Sequence, residues 1–190
     1  PFLVMQYCSF GNICHYLKFH RPDANRVDLV YDIVAGMTYL HGPGRNIVHA
    51  DLKGVNILID DKCHALIADF GLSRSSAMDV IRSRTALSTQ RGGIPPGTLR
   101  WMAPECLRGE KPTKASDIYS LGITIWEARN SFFCIKSYVV HWEHLIFNHV
   151  VTEGNRPPRP VLLHYDPLWE LVQKCWDALP SSRPSIREVQ

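Results

Sequence analysis

Residues 49–56 read HADLKGVN, and more of the fold follows from this segment than from any other. It places a carboxylate, an ammonium group and a carboxamide within six positions. Thirteen residues beyond its last asparagine the chain reads DFG at residues 69–71, and it later reads GTLRWMAPE at residues 97–105. Each segment alone is a weak signal, because an isolated aspartate beside a turn is more often a cap or a surface charge. The three segments together, in this order, are a strong one.

These segments contain the side chains that phosphoryl transfer from a nucleotide requires. The leaving polyphosphate is strongly anionic, and the Mg²⁺ that neutralises it prefers oxygen ligands, which Asn56 and Asp69 offer. Asp51 is suited to orient the attacking hydroxyl group and to accept its proton. Lys53 adds a positive charge against the migrating phosphoryl group. The pattern therefore predicts a base, a cation and two metal ligands in one cleft.

The order of the segments resembles that of the protein kinase superfamily, in which the catalytic loop HRDxKxxN is followed by DFG and APE. The resemblance extends over most of the chain and implies ATP and Mg²⁺ as cofactors. It makes Asp51 the catalytic base and Lys53 a phosphate contact. It makes Asn56 and Asp69 the magnesium ligands, and through the metal they also bind the cofactor.

Other residues indicate the substrate class and the group within the superfamily. In kinases that act on aliphatic hydroxyls, a threonine at the place of Thr98 bonds the catalytic aspartate and lysine, so Lys53 with Thr98 favours serine and threonine in protein substrates. The pairs Trp101-Met102 and Cys175-Trp176 look more like tyrosine kinases. This mixture resembles the tyrosine-kinase-like group.

The resemblance also implies an adenine site at the start of the chain. Residues 3–9 match the hinge strand, in which Met5 would be the gatekeeper beside the adenine. Backbone groups near Gln6 and Cys8 would bond the edge of the base, and Leu58 would form the floor of its pocket.

Five further positions have structural roles by the same resemblance. Asp117 matches a buried helix aspartate that braces the catalytic loop. Glu105 and Arg183 match an ion pair that ties the activation segment to the last helices. His49 and Phe70 belong to the catalytic loop and DFG motifs, and are counted with these structural positions.

Hydrophobic periodicity predicts a mainly helical chain with a small β insert. Helices are predicted over 23–41, over 117–128 and around residues 168–175, and strands over 1–7, 47–49, 55–59 and 65–67. Residues 73–98 show no periodicity and predict a long loop of the kind that is usually functional. The first of these helices is predicted to bury a stripe of apolar residues: Val27, Val30, Ile33, Val34, Met37 and Leu40.

The predicted fold class is therefore α+β, a protein-kinase-like C-terminal lobe whose β insert carries the catalytic loop. Residues 1–12 are predicted to form the last strand of the N-terminal lobe and the hinge, and residues 13–190 the C-terminal lobe. The activation segment is predicted to span residues 69–105. The whole chain is interpreted as one partial kinase domain whose N-terminal lobe is missing.

The composition and the net charge of the chain argue against several classes of function. The formal charge is only +3 and 45% of residues are hydrophobic, which argues against a nucleic-acid partner. No apolar run is long enough for a membrane span. Six scattered cysteines without a CxxC pair favour reduced thiols and a cytoplasmic location. His141, His144 and His149 lack the cysteine or carboxylate pattern that would complete a zinc site. The oligomeric state is not indicated.

Three features depart from the kinase pattern. Ala50 replaces an arginine that, in the family, receives a phosphate on the activation loop, so loop phosphorylation is not expected to be the main switch. Residues 129–154 fit the family poorly. The chain contains no GxGxxG loop and no VAxK strand, the parts that hold the triphosphate in line.

These departures leave two hypotheses open. In the first, the parent protein is a serine/threonine kinase, and residues 1–190 alone are close to inactive and poorly soluble. In the second, the chain is a non-catalytic, kinase-shaped module that binds protein partners through its helical face.

Overall fold

The described part of the chain consists mainly of helices, together with four short strands. The computed structural model describes residues 6–75, 98–130, 145–160 and 166–190. In chain order the helices are α1 (Ile13–His15), α2 (Arg26–His41), α3 (Pro104–Leu107), α4 (Lys114–Arg129), α5 (Asp166–Cys175) and α6 (Ile186–Val189). The strands are β1 (Ile47–Val48), β2 (Ile57–Ile59), β3 (Ala65–Ile67) and β4 (Arg74–Ser75). Shorter helical turns are π-helical at Tyr16–His20 and Asn148–Thr152, and 3₁₀ at Gly54–Asn56, Leu99–Trp101 and Pro180–Ser182.

Helix α2 begins three residues later than predicted because Asn25 caps it. The Asn25 side chain accepts a hydrogen bond from the backbone N–H of Val27 at 3.1 Å, which satisfies one of the free donors at the start of the helix. The rest of the predicted stripe is buried, but Val27 is 54% exposed, so its assignment to the core was wrong. Val27 lies roughly a quarter turn from the centre of the buried stripe and in the first turn, where fewer neighbours can cover it.

Helix α4 is buried on all sides and forms the centre of the molecule. It starts at Lys114, three residues before the predicted start, because Thr113 and Ser116 form a reciprocal capping box. Along its length, large apolar side chains such as Leu121 and Trp126 are almost completely buried. It packs against α2 and α5, so both faces of the helix meet other helices.

The predicted hairpin is confirmed as the antiparallel pair β2–β3, with Leu58 opposite Leu66. Its position against α2 is fixed by Asp32, whose carboxylate accepts the backbone N–H of Ala65 at 2.9 Å. Gly36 of α2 permits this packing, because a Cβ atom there would lie 2.8 Å from the Ile67 side chain. The hairpin therefore presents the end of β3 beside residues 49–56, which are called the catalytic segment below after their predicted role.

Strand β1 does not join this hairpin. It pairs with β4, Ile47 opposite Ser75 and Val48 opposite Arg74, in a separate two-stranded sheet. The start of the predicted loop at residues 73–98 was therefore wrong, since residues 74–75 are a strand. Residues 76–97 lie outside the described part.

Three other predicted segments, 1–7, 168–175 and 129–154, include or lie near residues outside the described ranges. Gln6 and Tyr7 have no strand conformation, and residues 1–5 lie outside the described residues. The predicted helix near the C-terminus is confirmed as α5. In the poorly fitting stretch 129–154, residues 131–144 are not described, but Ile146 and Val150 are buried in the core.

No helix in the described ranges is both long and apolar enough to cross a membrane. The cysteines there are free thiols, and Cys134 is outside those ranges. His141 and His144 are also outside them, and the described residues contain no cluster of three metal-binding side chains.

Candidate active site

The segment between β1 and β2 holds Asp51 and Lys53 as an ion pair. The Lys53 Nζ atom lies 2.9 Å from Oδ1 and 2.8 Å from Oδ2 of Asp51, so it contacts both carboxylate oxygens. The side chains of Lys53 and Asp51 are 13% and 6% exposed. Because the pair is largely shielded from water, its charges interact more strongly than a surface pair would.

Thr98 completes this group from a distant part of the sequence. Its hydroxyl accepts a hydrogen bond from Lys53 Nζ at 2.9 Å, and the residue is buried. Within the described residues no hydrogen bond joins Thr98 directly to Asp51. The structure thus connects the threonine to the carboxylate through the lysine.

Asn56 lies against the other side of the Asp51 carboxylate. Its Nδ2 atom donates to the Asp51 carbonyl at 2.8 Å and to Oδ2 at 3.0 Å. Because the amide nitrogen makes both bonds, the amide oxygen is left without a hydrogen bond from any described residue. That oxygen is the atom a hard cation would use.

Asp69 is the second residue after β3 and is brought next to Asn56 through the backbone. The N–H of Ala68 donates to the carbonyl of Asn56 at 2.9 Å, one residue before Asp69. Asp69 is exposed, has a positive φ of 62°, and accepts the N–H of Gly71 at Oδ1. No hydrogen bond in the described residues links its side chain to Asp51, Lys53 or Asn56.

Asp117 supports the start of the catalytic segment from the first turn of α4. Its Oδ2 accepts the N–H of His49 at 2.7 Å and its Oδ1 accepts the N–H of Ala50 at 2.9 Å. Ala50 has φ +67°, a left-handed conformation that alanine adopts only at a cost. The backbone amides of His49 and Ala50 thus both donate to Asp117, a residue that is only 1% exposed.

His49 and Phe70 connect the catalytic segment to the DFG segment. The two rings are in contact, with centroids 5.2 Å apart. His49 Nδ1 accepts the N–H of Asp51 at 3.3 Å, so Nε2 carries the hydrogen that reaches the Ala68 carbonyl at 3.0 Å. Ser73 adds a hydrogen bond to the His49 carbonyl.

Glu105 and Arg183 form a buried bidentate pair between α3 and the segment before α6. The two N–O distances are 2.7 and 2.8 Å. The Arg183 side chain is 0% exposed, and its guanidinium also donates to the Ala115 carbonyl and lies 5.1 Å from the centre of the Tyr119 ring. Burial raises the pKa of Tyr119 to about 12, although both Arg156 and Arg183 lower it.

Sequence reasoning missed Glu127, which joins the catalytic segment to the 3₁₀ turn at Leu99–Trp101. Its Oε2 accepts the N–H of Gly54 at 2.9 Å and the indole N–H of Trp101 at 3.1 Å. Gly54 allows this approach, since a Cβ atom there would lie 2.6 Å from both Cys14 Sγ and Glu127 Oε2. The signal in the sequence was a glutamate near the end of a helix whose neighbouring residues, such as Ile125 and Trp126, are apolar and buried.

The adenine site predicted at the start of the chain is only partly described. Met5 lies outside the described residues, Gln6 is exposed, and Cys8 is half-buried in a turn closed by the Gly11 N–H to its carbonyl. Burial raises the pKa of the Cys8 thiol, and the charges of Asp60 and Asp61 raise it further. Leu58 is half-buried in β2. The adenine-binding roles of these four residues therefore stay predictions.

Comparisons with known proteins identify the family of the chain. The model of the family "Protein tyrosine and serine/threonine kinase" matches residues 1–190. The human receptor-interacting serine/threonine-protein kinase 1 is 31% identical over 99% of this chain and 29% of its own length. The serine/threonine-protein kinase CTR1 of Arabidopsis thaliana is 32% identical over 98% of this chain and 22% of its own length.

A third relative, the serine/threonine/tyrosine-protein kinase HT1 of Arabidopsis thaliana, is 31% identical over 98% of this chain. The chain spans between 10% and 45% of the length of these and two viral relatives. With a family model matched along its whole length and relatives of the tyrosine-kinase-like type, the chain belongs to the eukaryotic protein kinase superfamily.

Proposed function

We propose that this chain carries the phosphoryl-transfer centre of a protein serine/threonine kinase. ATP is the phosphoryl donor, and hydroxyl groups of protein substrates are the acceptors. The observation that carries the proposal is the buried cluster in which Lys53 contacts both carboxylate oxygens of Asp51 and the hydroxyl of Thr98. Members of the family use ATP and Mg²⁺.

Asp51 is the proposed base. Lys53 and the Asn56 amide hold its carboxylate in one orientation, so no rotation is needed when a substrate hydroxyl approaches. A positioned carboxylate of this kind typically contributes about 10²–10⁴-fold to the rate. Lys53 also places its charge where negative charge develops during transfer.

Asn56 and Asp69 are the residues proposed to hold magnesium. When bound, Mg²⁺ neutralises the polyphosphate and orients it. The amide oxygen of Asn56 and the Oδ2 atom of Asp69 have no hydrogen bond from a described residue, and both are the hard oxygen donors that this ion prefers. The donor chemistry therefore fits the ion.

The preference for serine and threonine rests on Thr98. Its hydroxyl bonds the lysine that contacts both oxygens of the proposed base, which supports a role for Thr98 beside the acceptor hydroxyl. The relatives named above are called serine/threonine kinases, or serine/threonine/tyrosine kinase in one case. These names support serine and threonine as the acceptor residues, but they do not name a substrate protein.

The lobe assignment is part of the proposal. Residues 13–190 would form the C-terminal lobe, residues 69–105 the activation segment, and residues 1–12 the last strand of the N-terminal lobe and the hinge. Residues 1–190 contain no GxGxxG loop, so these residues alone should hold ATP poorly and transfer phosphate slowly. The cytoplasmic location expected from the cysteines stays a prediction.

The test supplies the parts that hold the triphosphate. The chain is joined to an N-terminal kinase lobe that carries a glycine-rich loop and a strand lysine, and phosphate transfer from ATP to a mixture of serine, threonine and tyrosine peptides is followed by mass spectrometry. We expect phosphoserine and phosphothreonine, and a fall of at least about hundredfold for Asp51→Asn. The exposed Asp61→Asn is the matched control. Equal rates for the parent and Asp51→Asn would reject Asp51 as the base.

A second candidate is a non-catalytic, protein-binding module. It is favoured by Ala50, which cannot bind an activation-loop phosphate as arginine would. In that case the joined protein would transfer no phosphate, and Asp51→Asn would leave binding to protein partners unchanged.

A further inference from the structure

A cavity of about 580 Å³ lies apart from the candidate active site. It is bordered by the end of α2, the turn that follows α2, the first turn of α4 and the residues around the start of α6. None of the residues proposed for catalysis or metal binding is among the described residues that line it. Small-molecule sites in proteins typically measure about 300–1,000 Å³, so the cavity has room for one such molecule.

Much of the cavity wall is apolar. Pro43 contributes from the turn after α2, Ile118 from α4, and Pro184 and Ile186 from the C-terminal segment. Ile118 and Ile186 are only 2% and 6% exposed and belong to the core, so packing holds this part of the wall in place. Such a surface favours contact with the apolar part of a ligand, because water then leaves both surfaces.

Lys114 adds a positive charge to this wall. Its Nζ atom donates to the carbonyl of His41 at 2.7 Å and to Oδ1 of Asn46 at 2.6 Å, and both of these residues line the cavity. Both acceptors are uncharged, and within the described ranges no ion pair joins Lys114 to a carboxylate. Because an ammonium group has three hydrogens, one of them remains for a ligand.

Asn46 adds uncharged donors beside this ammonium group. Its amide oxygen accepts the hydrogen bond from Lys114, so its Nδ2 atom is the part of the amide that faces away from the ammonium. The residue is exposed, and its Nδ2 hydrogens have no acceptor among the described residues. An ammonium hydrogen and amide hydrogens at one place on the wall are suited to the oxygens of a carboxylate.

The charged side chains of the wall carry one positive charge in excess. Arg183 is neutralised by its buried ion pair, whereas Lys114 and Arg187 are two further cations and Glu188 is one carboxylate. Hydrogen bonds from the hydroxyl and the backbone N–H of Ser185 lower the pKa of Glu188, so this carboxylate stays ionised. A ligand with a second negative charge would therefore be repelled by Glu188, while a single negative charge balances the wall.

We propose that this cavity binds a small organic carboxylate, a free molecule with one negative charge and an apolar body. Its carboxylate accepts hydrogen bonds from Lys114 Nζ and Asn46 Nδ2, and its body lies against Ile118 and Pro184. The single charge and the apolar body distinguish this ligand from ATP and other polyphosphates. The inference does not rest on the proposed function.

The test measures the binding of hydrocinnamate, an apolar ring with one carboxylate, to the 190-residue chain by ligand-observed NMR, for which micromolar protein is enough. We expect a Kd of about 1 mM or below. Hydrocinnamyl alcohol, which lacks the charge, and acetate, which lacks the apolar body, should each bind at least about tenfold more weakly.

Lys114→Met keeps the length of the side chain but removes its charge. It should weaken the binding of hydrocinnamate at least about tenfold and leave that of the alcohol within about threefold. The matched control is Lys111→Met, because Lys111 is exposed and does not line the cavity. This control should bind hydrocinnamate as the parent does, and so should Asp51→Asn.

Labelled isoleucine methyl groups show where the ligand lies. Hydrocinnamate should shift the signals of Ile118 and Ile186 and leave that of Ile57, in the hairpin, unchanged. The proposal is overturned if hydrocinnamate does not bind, if Lys114→Met binds it as the parent does, or if the signals of Ile118 and Ile186 do not move. Should Lys114→Met fail to fold, the parent decides: equal affinity for the acid and the alcohol overturns the proposal, and a tenfold preference for the acid with shifts at Ile118 and Ile186 supports it.

Discussion

Lys53 holds the Asp51 carboxylate through both of its oxygens, at 2.9 and 2.8 Å from the ammonium nitrogen. The same nitrogen reaches the Thr98 hydroxyl at 2.9 Å, so one cation has three oxygen partners in a largely buried place. An ammonium group with three hydrogens can satisfy all three at once. Lys53 is therefore the centre of the candidate site, and replacing it should remove all three contacts at once.

Replacing Lys53 with methionine should reduce both phosphate transfer and stability. The variant keeps the length of the side chain but leaves the Asp51 carboxylate buried beside an apolar group, at a cost of about 1–3 kcal/mol. Transfer should fall at least about hundredfold, because the charge opposite the migrating phosphoryl group is lost. Urea unfolding and the phosphate-transfer assay measure the two effects. Lys62→Met, in the exposed hairpin turn, is the control, and a Lys53→Met protein as active as its parent would contradict the prediction.

Thr98→Val tests whether the hydroxyl, and not the shape of the side chain, matters at this position. Valine is close in size but cannot accept the hydrogen bond from Lys53 Nζ, so that donor loses one partner. We expect transfer to serine peptides to fall about tenfold in Thr98→Val and to remain near the parent rate in Thr98→Ser. If both variants behave alike, the hydroxyl has no part in the reaction.

The short motifs were predictable because they are local in sequence. Asp51 and Lys53 lie two positions apart, and the first turn after β1 is enough to bring them together. Thr98 is far away in the chain, and only the resemblance to kinases suggested its partner. Spacing alone could not have done so, since the residues between them include a long aperiodic segment.

The features that were missed depend on tertiary contacts. Glu127 lies at a helix position whose importance comes from N–H groups on two other elements, those of Gly54 and Trp101, and no local pattern reports that. The pairing of β1 with β4 was missed because two-residue strands have no periodicity to detect. Val27 was placed in the core because a stripe read from sequence does not show where the neighbouring elements end.

The buried pair of Glu105 and Arg183 should be intolerant of a conservative change. Arg183→Lys keeps the charge but cannot make the two parallel hydrogen bonds, nor can it reproduce the donation to the Ala115 carbonyl. We expect the free energy of unfolding to fall by about 1–3 kcal/mol, because buried hydrogen-bond acceptors lose their donors, and urea denaturation measures the loss. The exposed Arg187→Lys is the matched control. A loss as small as that of the control would show that the bidentate geometry contributes little.

Ala50→Gly should stabilise the chain. Alanine at φ +67° carries a penalty of about 1–2 kcal/mol that glycine avoids, while the greater freedom of glycine in the unfolded chain offsets about 0.5–1 kcal/mol of the gain. The net expectation is an increase of about 0.5–1 kcal/mol in the free energy of unfolding. Ala35→Gly, at an exposed position inside α2, should instead lose about 1 kcal/mol. A destabilised Ala50→Gly protein would mean that the left-handed turn is not under strain.

Cys175 should make the fold sensitive to alkali. Burial raises the pKa of its thiol from the ordinary value of 9.0 to about 12, so between these values the unfolded chain loses a proton that the folded chain keeps. The thiol's contribution is therefore fully present below about pH 9 and is lost as the pH rises toward 12, by about 1.4 kcal/mol per pH unit. Urea unfolding at pH 8, 9 and 10 in the presence of a reductant measures this slope. Cys175→Ala should be less stable than the parent at pH 8, because Cys175 packs against α4, yet lose less stability between pH 9 and 10. Two parallel profiles would show that the thiol ionises in the folded protein as readily as in the unfolded one.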